Sequence, residues 1–159
     1  MQAPPFVIRG ARASDREGAL ALVPRLRDFG PSSLRPVEAL DAGETRALGN
    51  WFDGPPPGTA LFVAEDGEGA VLGIAYAEEE TDYFTRQPVG HLGILAVAAV
   101  AEGRGVGRAL IAAFEDWATA RGFRLVTINV FAANARATAV YERSGYEKDV
   151  VRYAKALRP

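Results

Sequence analysis

Apolar residues recur along this chain in two different rhythms. Thr59–Glu65 and Ala70–Glu79 read as strands joined by the turn sequence Asp66-Gly67-Glu68-Gly69, which predicts an antiparallel hairpin. Val89–Val97 is a third apolar run, and over Arg124–Phe131 Val126, Ile128 and Val130 alternate with Leu125, Thr127, Asn129 and Phe131, the period of a strand buried on at least one face. Between the last two, Val106, Leu110, Phe114 and Trp117 fall on one stripe of a helix from Val106 to about Arg121, and Gly122 supplies its stop. A strand, helix, strand unit over residues 89–131 requires a right-handed crossover and a parallel pair in the middle of the sheet. Beside an antiparallel hairpin, that makes the sheet mixed.

The flanking segments extend this pattern. Phe6–Arg9 predicts a first strand, after which Ser14 or Asp15 caps a helix to about Arg27 that Pro24 kinks or ends early. Asp28–Arg35 reads as a loop, Pro36 opens a second helix to about Trp51, and Gly54-Pro55-Pro56-Pro57-Gly58 is a stiff connector. Thr81–Pro88 is a loop carrying Tyr83 and Phe84. Asn134 caps a helix to about Ser144, Gly145 ends it, and Tyr146–Tyr153 predicts a final strand. The fold class expected is α+β: a mixed, mostly antiparallel sheet with a central parallel pair and helices on both faces, in one domain over residues 1–159.

Composition removes several kinds of chemistry. The 159 residues are 48% apolar and 24% charged, which suits a folded domain with one core. Lysine and arginine number 18 against 20 acids, so no global field recruits nucleic acid or an anionic membrane. Cysteine is absent, which excludes thiolate nucleophiles and cysteine-held metal and fits a cytoplasmic location. A single histidine excludes a histidine-rich metal site, and no metal is expected. The first residues do not read as a secretory signal, and no apolar run reaches the length of a membrane span.

Candidate chemistry concentrates where the strand ending at Val97 gives way to Glu102-Gly103-Arg104-Gly105-Val106-Gly107 and then to a helix. The first N–H groups of a helix lack intrahelical partners and sit at the positive end of its dipole, so such a junction attracts phosphate. A nucleoside-triphosphate loop needs Gly-Lys followed by Ser or Thr, whereas Gly107 is followed by Arg108 and Ala109. A dinucleotide loop needs a third glycine three residues after the second, where this chain has Arg108 or Leu110, and an acid that residues 125–131 lack.

The segment Leu95–Tyr146 resembles the GNAT superfamily of acyl-CoA-dependent N-acetyltransferases. Their diphosphate loop reads Gln or Arg, two residues, Gly, one residue, Gly or Ala, beginning five residues after a strand valine. Val97, Gly105 and Gly107 fit, while Glu102 replaces the Gln or Arg. A second family pattern matches as Asn134, Ala137, Tyr141, Gly145 and Tyr146. About a third of the chain carries the likeness.

That resemblance implies a GNAT-like acyl-CoA N-acyltransferase fold and acetyl-CoA as co-substrate, with pantetheine lying between splayed strands. Backbone groups of Leu95, Ala96 and Val97 would bond the pantetheine and polarise the thioester. Gly103, Arg104, Gly105, Val106, Gly107 and Arg108 would hold the diphosphate, the two arginines being equally readable as solvated. Asn134 would bond the cofactor, the helix cap, or both. Tyr141 would protonate the departing thiolate, although a helix tyrosine can also simply pack inward. A base is needed because a lysine-like amine with a pKa near 10.4 costs about 4.6 kcal/mol to deprotonate at pH 7. Some members carry a glutamate at the position of Asn129, which cannot serve. Others place one at the position of His91, and imidazole is the side chain that changes charge nearest neutral pH. His91 at a strand start is also readable as structural, with Glu78, Glu79 and Glu80 as alternatives through water. Acids at Glu78–Glu80 and Asp82 suit a cationic acceptor, with Tyr83, Phe84, Trp51 and Phe52 as candidate walls. The expected activity is acetyl transfer to a primary amine of a small molecule or peptide by direct attack, the alternative being a non-catalytic acyl-CoA-binding or regulatory module. No nucleic-acid or membrane partner is expected, and a homodimer is compatible.

Overall fold

The computed structural model describes residues 5–28, 30 and 33–158. Its strands are β1 (Phe6–Gly10), β2 (Thr59–Asp66), β3 (Val71–Thr81), β4 (Pro88–Val97) and β5 (Val126–Ile128), in the sheet order β1-β2-β3-β4-β5. The helices are α1 (Arg16–Leu20), α2 (Val37–Asp53), α3 (Val106–Ala120) and α4 (Ala135–Arg143). All strand pairs are antiparallel except β4 with β5. The expected hairpin, crossover and mixed sheet are present, and the expected loop at Asp28–Arg35 lies partly outside the described residues.

Alternation along the strands divides the core between two faces. Leu61, Val63, Ile74, Tyr76, Ile94 and Ala96 pack with Ala19, Leu22, Val23 and Leu48 from the α1/α2 side. Ala64, Leu72, Ala75, Ala77 and Leu92 pack with Val106, Leu110, Ile111 and Phe114 of α3. Full burial of the valine, leucine, isoleucine and phenylalanine side chains among them contributes about 1.5–3 kcal/mol each. Leu92 and Ile94 are two residues apart yet face opposite layers. The reason is an extra residue, Gly93, where the β3–β4 register steps from Ala77↔Leu92 to Tyr76↔Ile94, a β-bulge that exchanges the faces of β4. Helix α3 sits so close to the sheet that a Cβ on Gly73 would lie 2.9 Å from both Leu110 Cδ1 and Val106 Cγ1. A side chain at 73 would therefore push on the first turn of α3, the turn that follows the glycine loop.

Five sequence expectations are corrected. The helix expected to about Arg27 is only α1, and Val23–Arg27 continues as a 3-10 turn with Pro24 in its first positions. Asp15 is not a side-chain cap for α1; it is buried, and its carboxylate takes two bonds from Arg9 at 2.7 and 2.9 Å and one from the Arg12 N–H at 2.6 Å. The strand expected over Arg124–Phe131 is limited to Val126–Ile128, because β4 pairs with it only from Gly90 to Leu92, before the bulge. Finally, Tyr146–Tyr153 is not a strand. Val150, Val151 and Tyr153 are 71%, 65% and 92% exposed, and three-residue β5 offers little edge on which to build. The parallel pair accordingly borders the described sheet and is not central to it.

Candidate active site

The side expected to hold the acyl donor is made mostly of backbone. Beyond Leu92, β4 runs on to Val97 with β3 on one edge and, among the described residues, no strand on the other. Leu95, Ala96 and Val97 therefore border a gap that β5 vacates. The chain then makes a short 3-10 turn at Ala99–Ala101 and enters the glycine loop, where Gly103 and Gly105 have φ of +72° and +84°. These are left-handed conformations that a side chain disfavours. Gly105 is the N-cap of α3 and no side chain caps that helix. The Ala109 N–H donates to the Gly105 carbonyl at 3.0 Å, leaving the amides of Val106, Gly107 and Arg108 without intrahelical acceptors. Gly107 faces Val97 Cγ2, which a Cβ would meet at 3.6 Å. Arg104 and Arg108 are both exposed. The stretch predicted as cradle and anchor is thus contiguous in space as well as in sequence.

Across the vacated gap, α4 begins at Asn134, whose Oδ1 accepts the Ala137 N–H at 3.0 Å. The capping function is therefore met. Tyr141 is partly buried against the α3-side core, and burial pushes its hydroxyl up to about 12, so it stays protonated near neutral pH. Tyr146 lies beside it, its ring tilted by 59° with centroids 6.1 Å apart. The Tyr146 hydroxyl is buried and within good hydrogen-bond geometry of no group among the described residues, and burial raises it strongly, with the nearby Glu115 carboxylate adding to the effect.

The groups expected to face an acceptor come from side chains on the other face. Ile74 and Tyr76 of β3 point toward α2, and alternation carries Glu78 and Glu80 to that same face. His91, opposite Glu78 in the register, is buried, with Nδ1 2.8 Å from Thr127 Oγ1 and 3.9 Å from Glu80 Oε2. Ligand-capable atoms of Glu78, Glu80 and His91 lie within 4.8 Å of one another, close enough to share a cation. Glu78 is held above the usual carboxylate range by burial and by repulsion from Glu80. Glu44 of α2 is raised by burial and by Glu78, so the helix and the strand present acids to each other. Glu44 also lines a cleft with Asp41, Leu40, Val23, Leu26 and Phe131.

The structure therefore assembles His91 with Glu78 and Glu80, but not with Glu79, whose carboxylate is 3.4 Å from the Arg121 guanidinium instead. Tyr83 and Phe84 stack edge to face at 5.3 Å and are 80% and 77% exposed. Trp51 and Phe52 pack onto the α2-side core, with the Trp51 indole N–H buried and without a hydrogen-bond partner among the described residues. Sequence reasoning missed Glu44, because one acid on a weakly amphipathic helix carries no sign of the strand it will face. It also missed Arg25 and Arg136, which both bond Glu102.

The model of the acetyltransferase (GNAT) family matches residues 26–146 of this chain. A mycothiol acetyltransferase of Beutenbergia cavernae is 38% identical over 137 residues, covering 86% of this chain and 43% of the relative. One from Saccharomonospora viridis is 31% identical over 137 residues, covering 84% and 42%. The chain thus spans under half the length of these curated relatives. Among solved structures, an aminoglycoside N-acetyltransferase, AAC(6')-Iy, in complex with a bisubstrate analogue joining CoA to an acetylneamine, superimposes with a TM-score of 0.67 at 25% identity, covering 96% of this chain and 99% of that one.

Proposed function

The chain belongs to the acetyltransferase (GNAT) family, and we propose that it transfers an acetyl group from acetyl-CoA to the primary amine of a small molecule or peptide by direct attack within a ternary complex. The observation that carries this reading is the continuity of the donor side: an unpaired β4 edge at Leu95–Val97 leads straight to an uncapped helix start behind Gly103 and Gly105. Pantetheine would take the place of the missing strand beside β4, and the thioester carbonyl would be polarised by backbone N–H groups there. The diphosphate would be held by the amides of Gly103–Arg108, with Arg104 and Arg108 adding charge from solvent. Asn134 would steady this end of α4.

The attacking amine would approach from the α2 face. Its proton would pass to His91, with Glu78 and Glu80 beside the imidazole to stabilise the charge it gains. The tetrahedral intermediate would collapse with loss of the thiolate, and Tyr141, protonated across the neutral range, would supply its proton. Glu44, Glu78 and Glu80 favour an acceptor that arrives as a cation. No step requires a metal. The chain is read as one acetyltransferase domain, and no helix among the described residues is long and apolar enough to cross a membrane. A cytoplasmic setting would supply the acetyl-CoA.

Calorimetry with acetyl-CoA tests the donor half. The wild type should bind in the micromolar range and Gly105→Glu at least about 100-fold more weakly, since it forces a side chain into a left-handed position and sets a carboxylate against phosphate. Equal affinities would remove the diphosphate-loop assignment. An amine screen read by released thiol tests the acceptor half. Bound acetyl-CoA with no thiol released across polyamines, amino-sugars, amino acids and peptides would favour the non-catalytic module, for which Asn129 in place of an acid speaks.

A further inference from the structure

The one departure from the diphosphate-loop pattern, Glu102, is not left facing solvent. Its two carboxylate oxygens are divided between two arginines from distant parts of the chain. Oε1 accepts from Arg25 Nη2, and Oε2 accepts from Arg136 Nη1 at 2.9 Å. Arg25 belongs to the 3-10 turn before α2 and also donates Nε to the Val97 carbonyl at 3.2 Å, the last residue of the predicted cradle, while its Nη1 bonds Asp28. Arg136 lies in the first turn of α4 and is about half exposed. Three segments thus converge on the point where β4 ends and the glycine loop begins. The arginine pairing, Arg136 first, holds the Glu102 carboxyl below its ordinary range, so it is an anion at neutral pH.

An anion at the mouth of a phosphate site opposes the ligand unless cations outnumber it. Here two guanidinium groups flank the one carboxylate at the loop, Arg25 sharing its charge with Asp28 as well, and they are held by a carboxylate whose paired oxygens offer guanidinium groups the same kind of partner that a phosphate does. Resting on the acetyl-CoA reading above, we propose that Arg25 and Arg136 are the cationic half of the diphosphate site, and that Glu102 is an internal anion which holds them in the empty cleft and is displaced by the diphosphate of CoA. Arg136, the more exposed of the two, exchanges partner most completely. Arg25 stays anchored through Val97 and Asp28 and turns one amino group to the ligand. Glutamate at 102 therefore lowers affinity for CoA while keeping the two arginines in position, and its replacement by the neutral isostere should tighten binding.

The test is calorimetric titration of CoA and dephospho-CoA into the full chain at low and high salt, with thermal melting of each variant. Glu102→Gln should bind both ligands three- to tenfold more tightly than wild type. Arg136→Gln, a substitution on the surface, should bind both about tenfold more weakly, with a smaller loss on adding salt. Glu102→Gln binding no more tightly than wild type, or Arg136→Gln binding equally well, would overturn the exchange and leave the three residues as a structural clasp. An effect seen with CoA and absent with dephospho-CoA would also overturn it, by moving the arginines to the 3′-phosphate. Wild type that binds neither ligand would defeat the acetyl-CoA reading itself, whereas tight wild-type binding with unresponsive variants would defeat this inference alone.

Discussion

The proposed donor and acceptor sides of the site are built from different materials. On the donor side the frame is backbone, a strand edge freed by the Gly93 bulge, two glycines at positive φ and a helix whose N-cap is a glycine, with the Arg25–Glu102–Arg136 cluster at its rim. On the acceptor side the work falls to ionisable side chains, His91, Glu78, Glu80 and Glu44, drawn from two strands and a helix. A backbone site fixes a ligand common to a whole family, because many side chains are compatible with the same loop. A side-chain site can be rewritten one residue at a time. The difference implies that substitutions on the first side change donor affinity or the departure of CoA, and those on the second change which amine reacts and at what pH.

The largest effect expected from a single conservative change is that of Tyr141→Phe. Removing one hydroxyl should lower kcat by about 10² to 10⁴ while leaving acetyl-CoA affinity nearly intact, because a general acid acts only once the C–S bond is breaking. A thiol is a fair leaving group, and for that reason activity should not vanish. Steady-state kinetics alongside calorimetry would read both quantities. Unchanged turnover would return Tyr141 to a packing role and remove the one side chain that the donor side contributes to chemistry.

A smaller effect, and one confined to the acceptor side, is expected from His91→Ala. The variant should lose about 10- to 100-fold in kcat/KM and the acidic limb of its pH-rate profile should change, with donor affinity unaltered. Retention of the wild-type limb would pass the proton-accepting role to Glu78 and Glu80. Thr127→Val, which removes the 2.8 Å partner of Nδ1 and keeps the imidazole, should move the same limb by a lesser amount.

The same division explains what the sequence made legible. The glycine loop, the strand before it, the α3 stripe and the Asn134 cap are local, and each was readable because the physics that forms it acts over a few residues. The length of β5 was not local. It depended on where the Gly93 bulge turns the β4 edge away, and a bulge is visible only when two strands are in register. The strand expected over Tyr146–Tyr153 went wrong for a related reason: apolar content gives strand propensity, but a strand also needs an edge to pair with. His91 could be singled out as the one histidine, whereas its meeting with Glu80 follows from cross-strand register. Glu44 and the Arg25–Glu102–Arg136 convergence link residues 34 or more positions apart and had no sequence signal.

The smallest predicted effect concerns stability and bears most directly on why the acceptor side is acidic. Glu44 and Glu78 both have carboxyls raised by burial, Glu44 further by Glu78 and Glu78 further by Glu80. A carboxyl whose folded pKa exceeds its unfolded value binds more protons when native, so its contribution to stability is present below the unfolded value near 4.5 and is lost as pH rises through the folded value. Ionising either carboxyl in the folded chain therefore works against burial and against its acidic neighbour. Glu44→Gln should raise the Tm at pH 7 by roughly 1–3 °C and have no effect at pH 4. A cationic amine that occupies this site should raise the wild-type Tm at pH 7 and should raise that of Glu44→Gln less, because the repulsion it relieves has already been removed. Melting curves at the two pH values, with and without a panel of amines, would separate an acid cluster kept for substrate from one that is merely solvated: equal ligand-induced shifts in both proteins would take Glu44 out of the acceptor site.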